Sequence, residues 1–239
     1  MATTLAPRTA RRTISLARLA PFGAIDREQP GRRLLNLAVA TVGIVLTLPL
    51  MVVVAVLIKL ISRGPVLFLQ TRIGLDRRAL SGAGGNTRRN LDLGGRPFVM
   101  LKFRTMYMDR APDDRQVWAS PNDDRVTPVG RVLRKFRLDE LPQLFNVLTG
   151  DMNVVGPRPE QPVIFVQLRE QIEAYQRRQR VRPGITGLAQ VALPYDRSVD
   201  DVRRKLKCDL EYIRHQSARE DLLIMLRTLP VMLRARGAW

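Results

Sequence analysis

This chain is poor in the residues that many active sites depend on. His215 is the only histidine, which excludes a histidine-dependent triad and any multi-histidine metal site. It reads as an ordinary polar helix residue. The single cysteine, Cys208, excludes an intrachain disulfide and fits a reducing compartment. Aromatics are only 5% of the chain and do not interleave with the basic runs, so recognition of single strands by base stacking is unsupported. Zinc-finger spacing and basic-zipper heptads are missing. So are the Gly-x-x-x-x-Gly-Lys phosphate loop and a Gly-x-Gly-x-x-Gly turn after a strand.

Positive charge, by contrast, is abundant. There are 40 Lys and Arg against 22 Asp and Glu, a net +18. Only Lys59, Lys102, Lys135, Lys205 and Lys207 are lysines; the other cations are arginines. This balance points to a polyanion: nucleic acid, an anionic membrane surface or phosphorylated substrates. With 45% apolar residues in 239, the chain can build one substantial core or two small ones.

Leu34 to Ile58 is apolar, broken only by Asn36, Gly43 and two threonines. At about 1.5 Å per residue such a helix could span a bilayer core. Two features argue for a re-entrant helix that dips into one leaflet and returns. Pro49 lies inside the run, where it removes a backbone donor. Cations flank both ends, Arg27, Arg32 and Arg33 before and Lys59 and Arg63 after, which places both ends on the cytoplasmic side. A straight spanning helix and an uncleaved signal are the alternatives. The first 30 residues, rich in Arg, Ala, Thr and Pro, read as a flexible basic tail near anionic membrane lipids, or as a leader without a role.

Beyond the apolar run, Gly64 to Gly74 reads as a strand and Pro97 to Met106 as a second. Together they would form a hairpin around a Gly- and Arg-rich loop over residues 76–95. Helices are expected at Val129–Phe136, Glu140–Leu148 (interrupted near Pro142), Pro162–Arg180 and Val199–Gln216. Val181 to Val191 reads as a loop. Asp221 to Leu233 fits either an interfacial amphipathic helix or a buried terminal one. The fold class is therefore α+β, mostly helical, with one small β-hairpin.

The chemistry concentrates in Leu138 to Glu160. Asp139 and Glu140 are adjacent carboxylates after the cations Arg131, Arg134, Lys135 and Arg137. One acid could attack phosphorus while the other holds Mg²⁺ against diphosphate charge. A solvated pair at a helix start fits the same residues. A bend would bring Arg134 to a phosphate beside the acids. Pro157 and Pro159 lock a turn around Arg158, presenting a guanidinium with little entropy left to lose, or a cap for a neighbouring helix. Lys102 and Arg104 alternate with Phe103 and would share a strand face. Gly184 and Gly187 would permit close backbone approach to a ligand.

These segments, in order GPVLFLQTRIG, KFRTM, VGRVLRKFRLDELPQLFNVLTGDMNVVGPRPE, RVRPGITGLAQV and KCDLEYI, resemble the bacterial sugar transferases, the monotopic phosphoglycosyl transferases. The likeness runs from about residue 31 to the end. It implies a re-entrant membrane helix over 31–60 and a catalytic domain over 61–239 at the cytoplasmic face of the bacterial inner membrane. It implies transfer of a sugar-1-phosphate from a UDP-sugar to undecaprenyl phosphate, with release of UMP, to start a polysaccharide or glycoconjugate. In that family's terms Asp139 is the nucleophile and Glu140 a ligand of Mg²⁺. Arg134 and Arg158 hold phosphate, with Pro157 and Pro159 near the nucleotide and Lys102 and Arg104 lining the site. Asp209 matches a late acidic metal position. The resemblance implies the minimal catalytic form and leaves room for a homodimer. The sequence departs from the family in its long 76–95 connection and in Asn36, which stands where an acid is frequent. A non-catalytic membrane scaffold on the same fold is the competing reading; a nucleic-acid-binding protein is disfavoured by the apolar run and the missing motifs.

Overall fold

The computed structural model describes residues 29–76, 93–108, 123–193 and 198–233. The basic tail, most of the 76–95 loop and Arg234 onward lie outside the described residues.

The apolar run forms one long helix, α1 (Pro30–Ile61), opened by a proline at its first turn, where the missing N–H costs nothing. Pro49 sits inside it without ending it. Both ends of α1 are tied to the same globular body. At the start, Arg32 is buried; its Nε donates to Asp221 Oδ2 at 3.0 Å and its NH2 to the Tyr212 hydroxyl at 2.7 Å. Arg33 donates to the carbonyls of Val147 and Leu148 at 2.9 and 3.1 Å, capping the end of another helix with positive charge. At the far end the Arg104 guanidinium donates to the Ser62 and Arg63 carbonyls at 2.8 and 2.6 Å, holding the backbone that leaves α1. Between these ties most of residues 41–50 are exposed, among them Val42, Val45, Leu46, Leu48 and Leu50.

Two strands follow, β1 (Leu67–Ile73) and β2 (Pro97–Phe103), paired antiparallel with Phe68 opposite Lys102 and Arg72 opposite Phe98. The expected hairpin is therefore present. The second strand stops at Phe103, three residues earlier than the sequence pattern suggested. Next come α2 (Pro128–Lys135), a short 3₁₀ turn (Leu138–Glu140) and α3 (Gln143–Thr149). Asn146 of α3 stitches the free edge of β2: its Nδ2 donates to the Val99 carbonyl at 2.8 Å and its Oδ1 accepts from Leu101 N–H at 3.0 Å. This covers backbone groups that an edge strand would otherwise expose.

The remaining elements are β3 (Asn153–Val155), α4 (Pro162–Gln171), a 3₁₀ segment (Tyr175–Arg180), β4 (Gly184–Thr186), α5 (Leu188–Ala192), α6 (Val199–His215) and α7 (Ala218–Leu233). Two expectations are corrected here. The single helix over 162–180 is two pieces, divided at Ala174, which adopts a left-handed φ of 65°. The presumed loop 181–191 instead holds β4, paired parallel to β3, and the start of α5. A Cβ on Gly184 would collide with the Gly156 backbone nitrogen, so this glycine serves chain-to-chain packing rather than approach of a ligand.

Three apolar clusters hold the body together. The first joins Ala40 of α1 to Phe98, Val147, Met152 and Tyr212. The second packs Ile73, Phe165, Tyr175 and Leu210. The third packs Met51, Val54 and Ile58 of α1 against Phe103 and Leu133. Asn36 fits this frame: its Oδ1 accepts from Val154 N–H at 2.7 Å, fixing α1 to β3.

Candidate active site

The dyad sits on the 3₁₀ turn between α2 and α3. Arg137 enters that turn at φ 55°, a left-handed backbone that costs an arginine on the order of 1–3 kcal/mol and that the surrounding structure must enforce. In a 3₁₀ turn successive side chains diverge by about 120°. Glu140 accordingly points inward and is buried, while Asp139 stays partly accessible.

Cations surround Glu140. Its Oε1 accepts from Arg158 NH2 at 2.6 Å and from Lys102 Nζ at 3.2 Å, and Arg137 NH1 lies 3.9 Å from Oε2. Burial alone would raise this carboxyl, but Arg158 and Lys102 outweigh it and hold the group well below the usual carboxylate range. Asp139 carries no ion pair among the described residues. Burial, and then the charge on Glu140, push its carboxyl up; Lys102, Arg134 and Arg158 oppose that rise. Neighbouring acids driven in opposite directions mark a division of labour. Glu140 is an anion held among cations, and Asp139 is the partly accessible carboxylate beside it.

The other expected residues separate into those beside the dyad and those elsewhere. Arg134 bonds Thr105 Oγ1 at 2.9 Å and acts on Asp139 through its charge. Arg158 stands between the buried Pro157 and Pro159; besides Glu140 it reaches Gln190 Oε1 at 3.1 Å. Lys102 joins them, its ammonium pushed down by burial and partly restored by Glu140. Arg104 does not. Because β2 ends at Phe103, the alternation that would have put Arg104 on the face of Lys102 stops short, and its guanidinium holds the Ser62–Arg63 backbone just after α1.

Asp209 is not placed with the dyad either. It is buried against Arg178, with Nε donating to Oδ2 at 2.7 Å. Arg178 in turn donates to the Arg158 carbonyl at 3.0 Å. Burial is outweighed by Tyr175, Asp209 and Glu160, so this guanidinium is held more firmly charged than usual. Asp209 therefore supports the Gly-Pro-Arg-Pro turn from behind. Among the described residues no group of three metal-ligating side chains converges.

Two participants went unnoticed in the sequence. Arg72 of β1 donates to the Pro159 carbonyl at 3.1 Å and is lowered to about 10, first by burial. It shares the strand face of Phe68 and Gln70, opposite Lys102; period-two alternation reveals this once the register is known. Gln190, the partner of Arg158, stands on a helix that the sequence reading treated as loop.

The fold presents a centre built from an open carboxylate, a clamped carboxylate and converging cations. The chain belongs to the bacterial sugar transferase family, whose model matches residues 27–235. It is 42% identical over 207 residues to a UDP-N-acetylgalactosamine-undecaprenyl-phosphate N-acetylgalactosaminephosphotransferase of Aeromonas hydrophila, covering 87% of this chain and 44% of that protein. It is 40% identical to a UDP-glucose:undecaprenyl-phosphate glucose-1-phosphate transferase of Caulobacter vibrioides, covering 98% of this chain and 80% of that one. It is 33% identical to the exopolysaccharide production protein ExoY of Rhizobium meliloti, covering 87% and 88%. The chain thus spans less than half of the Aeromonas relative and most of the other two.

Proposed function

We propose that this protein transfers a sugar-1-phosphate from a UDP-sugar to undecaprenyl phosphate and so initiates a polysaccharide or other glycoconjugate. The relatives named for that reaction support the substrate classes. The opposed environments of Asp139 and Glu140 carry the mechanism.

In the first half, an Asp139 carboxylate oxygen attacks the phosphorus that bears the sugar. The bond from that phosphorus to the bridging oxygen breaks, and UMP leaves with the electron pair. In the second half, a phosphate oxygen of undecaprenyl phosphate attacks the same phosphorus and displaces Asp139, giving the lipid diphosphosugar. Both halves need positioning and charge neutralisation rather than a strong base. Arg158, Lys102 and Arg134 are the cations beside the dyad that supply them.

Mg²⁺ fits this donor set. It takes one or two carboxylates and fills its shell with waters and phosphate oxygens; Glu140 would hold it through Oε2, whose charged neighbour is Arg137 at 3.9 Å, with Asp139 beside it. When bound, the ion would neutralise diphosphate charge.

The membrane reading is also a proposal. A straight helix of 32 residues is about 48 Å long and crosses a core of about 30 Å, which would part its ends. Both ends of α1 are instead bonded to one body, which supports re-entry from the cytoplasmic face, where UDP-sugars are made available. Assay of UMP release over a panel of UDP-sugars, with undecaprenyl phosphate present, tests the function. One sugar should stand out; no UMP from any of them would refute it.

A further inference from the structure

Immediately beside Glu140 the described residues line a half-open groove with a volume of about 110 Å³. One end is polar. Arg137 and Glu140 line it, and Gln190 contributes an Nε2 donor that is shielded from solvent and lacks a hydrogen-bond acceptor. The walls turn apolar at once, through Leu141 and Leu144 of the dyad side, Ile185 of β4 and Val191 of α5. The two threonines on the far wall make no demand on a ligand, because Thr186 and Thr228 hydrogen-bond each other at 2.8 Å. Leu144 also packs close to Gly43 of α1, and α7, which closes the other side, exposes Leu222, Leu226 and Leu229. The groove thus lies between helices whose outer faces suit a bilayer.

Arg137 and the Gln190 amide offer donors at the polar end, while Glu140 is already neutralised by Arg158 and Lys102, so the space suits an anionic head joined directly to hydrocarbon. We infer that it seats the first isoprenoid unit of the polyprenyl-phosphate acceptor, with Arg137 and the Gln190 amide on its phosphate; the inference rests on the proposed reaction and deepens it. An apolar cavity of about 150 Å³ accepts benzene, so this one takes about one five-carbon unit. An ordinary phospholipid fits worse. Its glycerol esters follow the phosphate, and their carbonyls would meet leucine walls that offer no donors. The site also places the acceptor phosphate on the Glu140 side of the dyad, next to the phosphorus that Asp139 would carry.

The test uses the full chain in phosphatidylglycerol-containing nanodiscs and a photoreactive farnesyl phosphate. Adducts are expected on residues 185–191 and 228–231, removed by excess undecaprenyl phosphate and not by added phosphatidylglycerol. Adducts confined to the exposed face of α1, or equal competition by phosphatidylglycerol, would overturn the assignment. Ile185→Phe and Val191→Phe should then lower kcat/KM for undecaprenyl phosphate about tenfold or more while kcat/KM for the UDP-sugar holds, as separate half-reactions require. An unchanged acceptor value in both variants would also overturn it. Groove adducts in a protein that releases no UMP from any UDP-sugar would sink the proposed reaction and leave the lipid site standing. Normal turnover without groove adducts would sink the lipid site alone.

Discussion

Arg158 NH2 and Glu140 Oε1 stand 2.6 Å apart, and the same guanidinium reaches Gln190 Oε1 through NH1. One planar side chain therefore joins the dyad to α5, and the turn that carries it is locked by a proline on each side. A lysine offers a point charge and cannot span both partners. Arg158→Lys is expected to lower kcat/KM for the UDP-sugar about a hundredfold, the scale of one lost transition-state donor, with little loss of thermal stability. A variant near wild-type activity would show that charge alone is enough there.

Asp209 gives a sharper contrast between two roles. As a metal ligand, its loss would raise the Mg²⁺ concentration needed for activity. As the support of Arg178, its loss leaves a buried guanidinium without its closest carboxylate, which costs on the order of 3–5 kcal/mol. Asp209→Asn is expected to lower the melting temperature and the rate while leaving the Mg²⁺ dependence of the remaining activity in place. A shifted Mg²⁺ requirement at unchanged stability would return Asp209 to the metal.

The opposed carboxyls also fix a pH dependence. Asp139 reacts as its anion, and its carboxyl is raised. Activity should therefore rise with pH along a limb lying above the usual aspartate range. Glu140 is lowered and stays ionised throughout, so it adds no second limb there. Removing a cation that favours the Asp139 anion should move the limb to still higher pH, and Arg134→Gln is the variant to measure. A limb that stays in place, or moves down, would contradict the electrostatic arrangement.

Topology is open to direct labelling. In a Cys208→Ser background, single cysteines at Gln29 and Arg63 flank α1. Both should react with an impermeant maleimide in inverted membrane vesicles and neither in intact cells. Labelling of the two positions from opposite sides would mean that α1 spans.

The sequence exposed the hairpin because glycines bracket its alternating strands, and it exposed α1 through composition alone. That Asp139, Glu140, Arg134, Arg158 and Lys102 lie near one another was legible because one uninterrupted motif and one strand carry them. Arg104 was misplaced by a single step of alternation, since nothing in Lys-Phe-Arg-Thr marks where pairing ends. The break at Ala174 was hidden for a different reason. Ile172 and Tyr175 keep helical spacing and share one core cluster, and no glycine or proline stands between them. The β3–β4 pair is three residues a side, too short for any periodicity, and its marker, Gly184 packed on Gly156, has meaning only in three dimensions. Asp209 was singled out by the resemblance alone; its ion pair with Arg178, 31 residues upstream, leaves no mark in the sequence.

The most direct test is to trap the protein with its UDP-sugar in the absence of lipid acceptor and map the modified peptide by mass spectrometry. The account expects a phosphosugar on Asp139, removed when undecaprenyl phosphate is added and missing from Asp139→Asn. Full turnover by a preparation that never shows that adduct would contradict it.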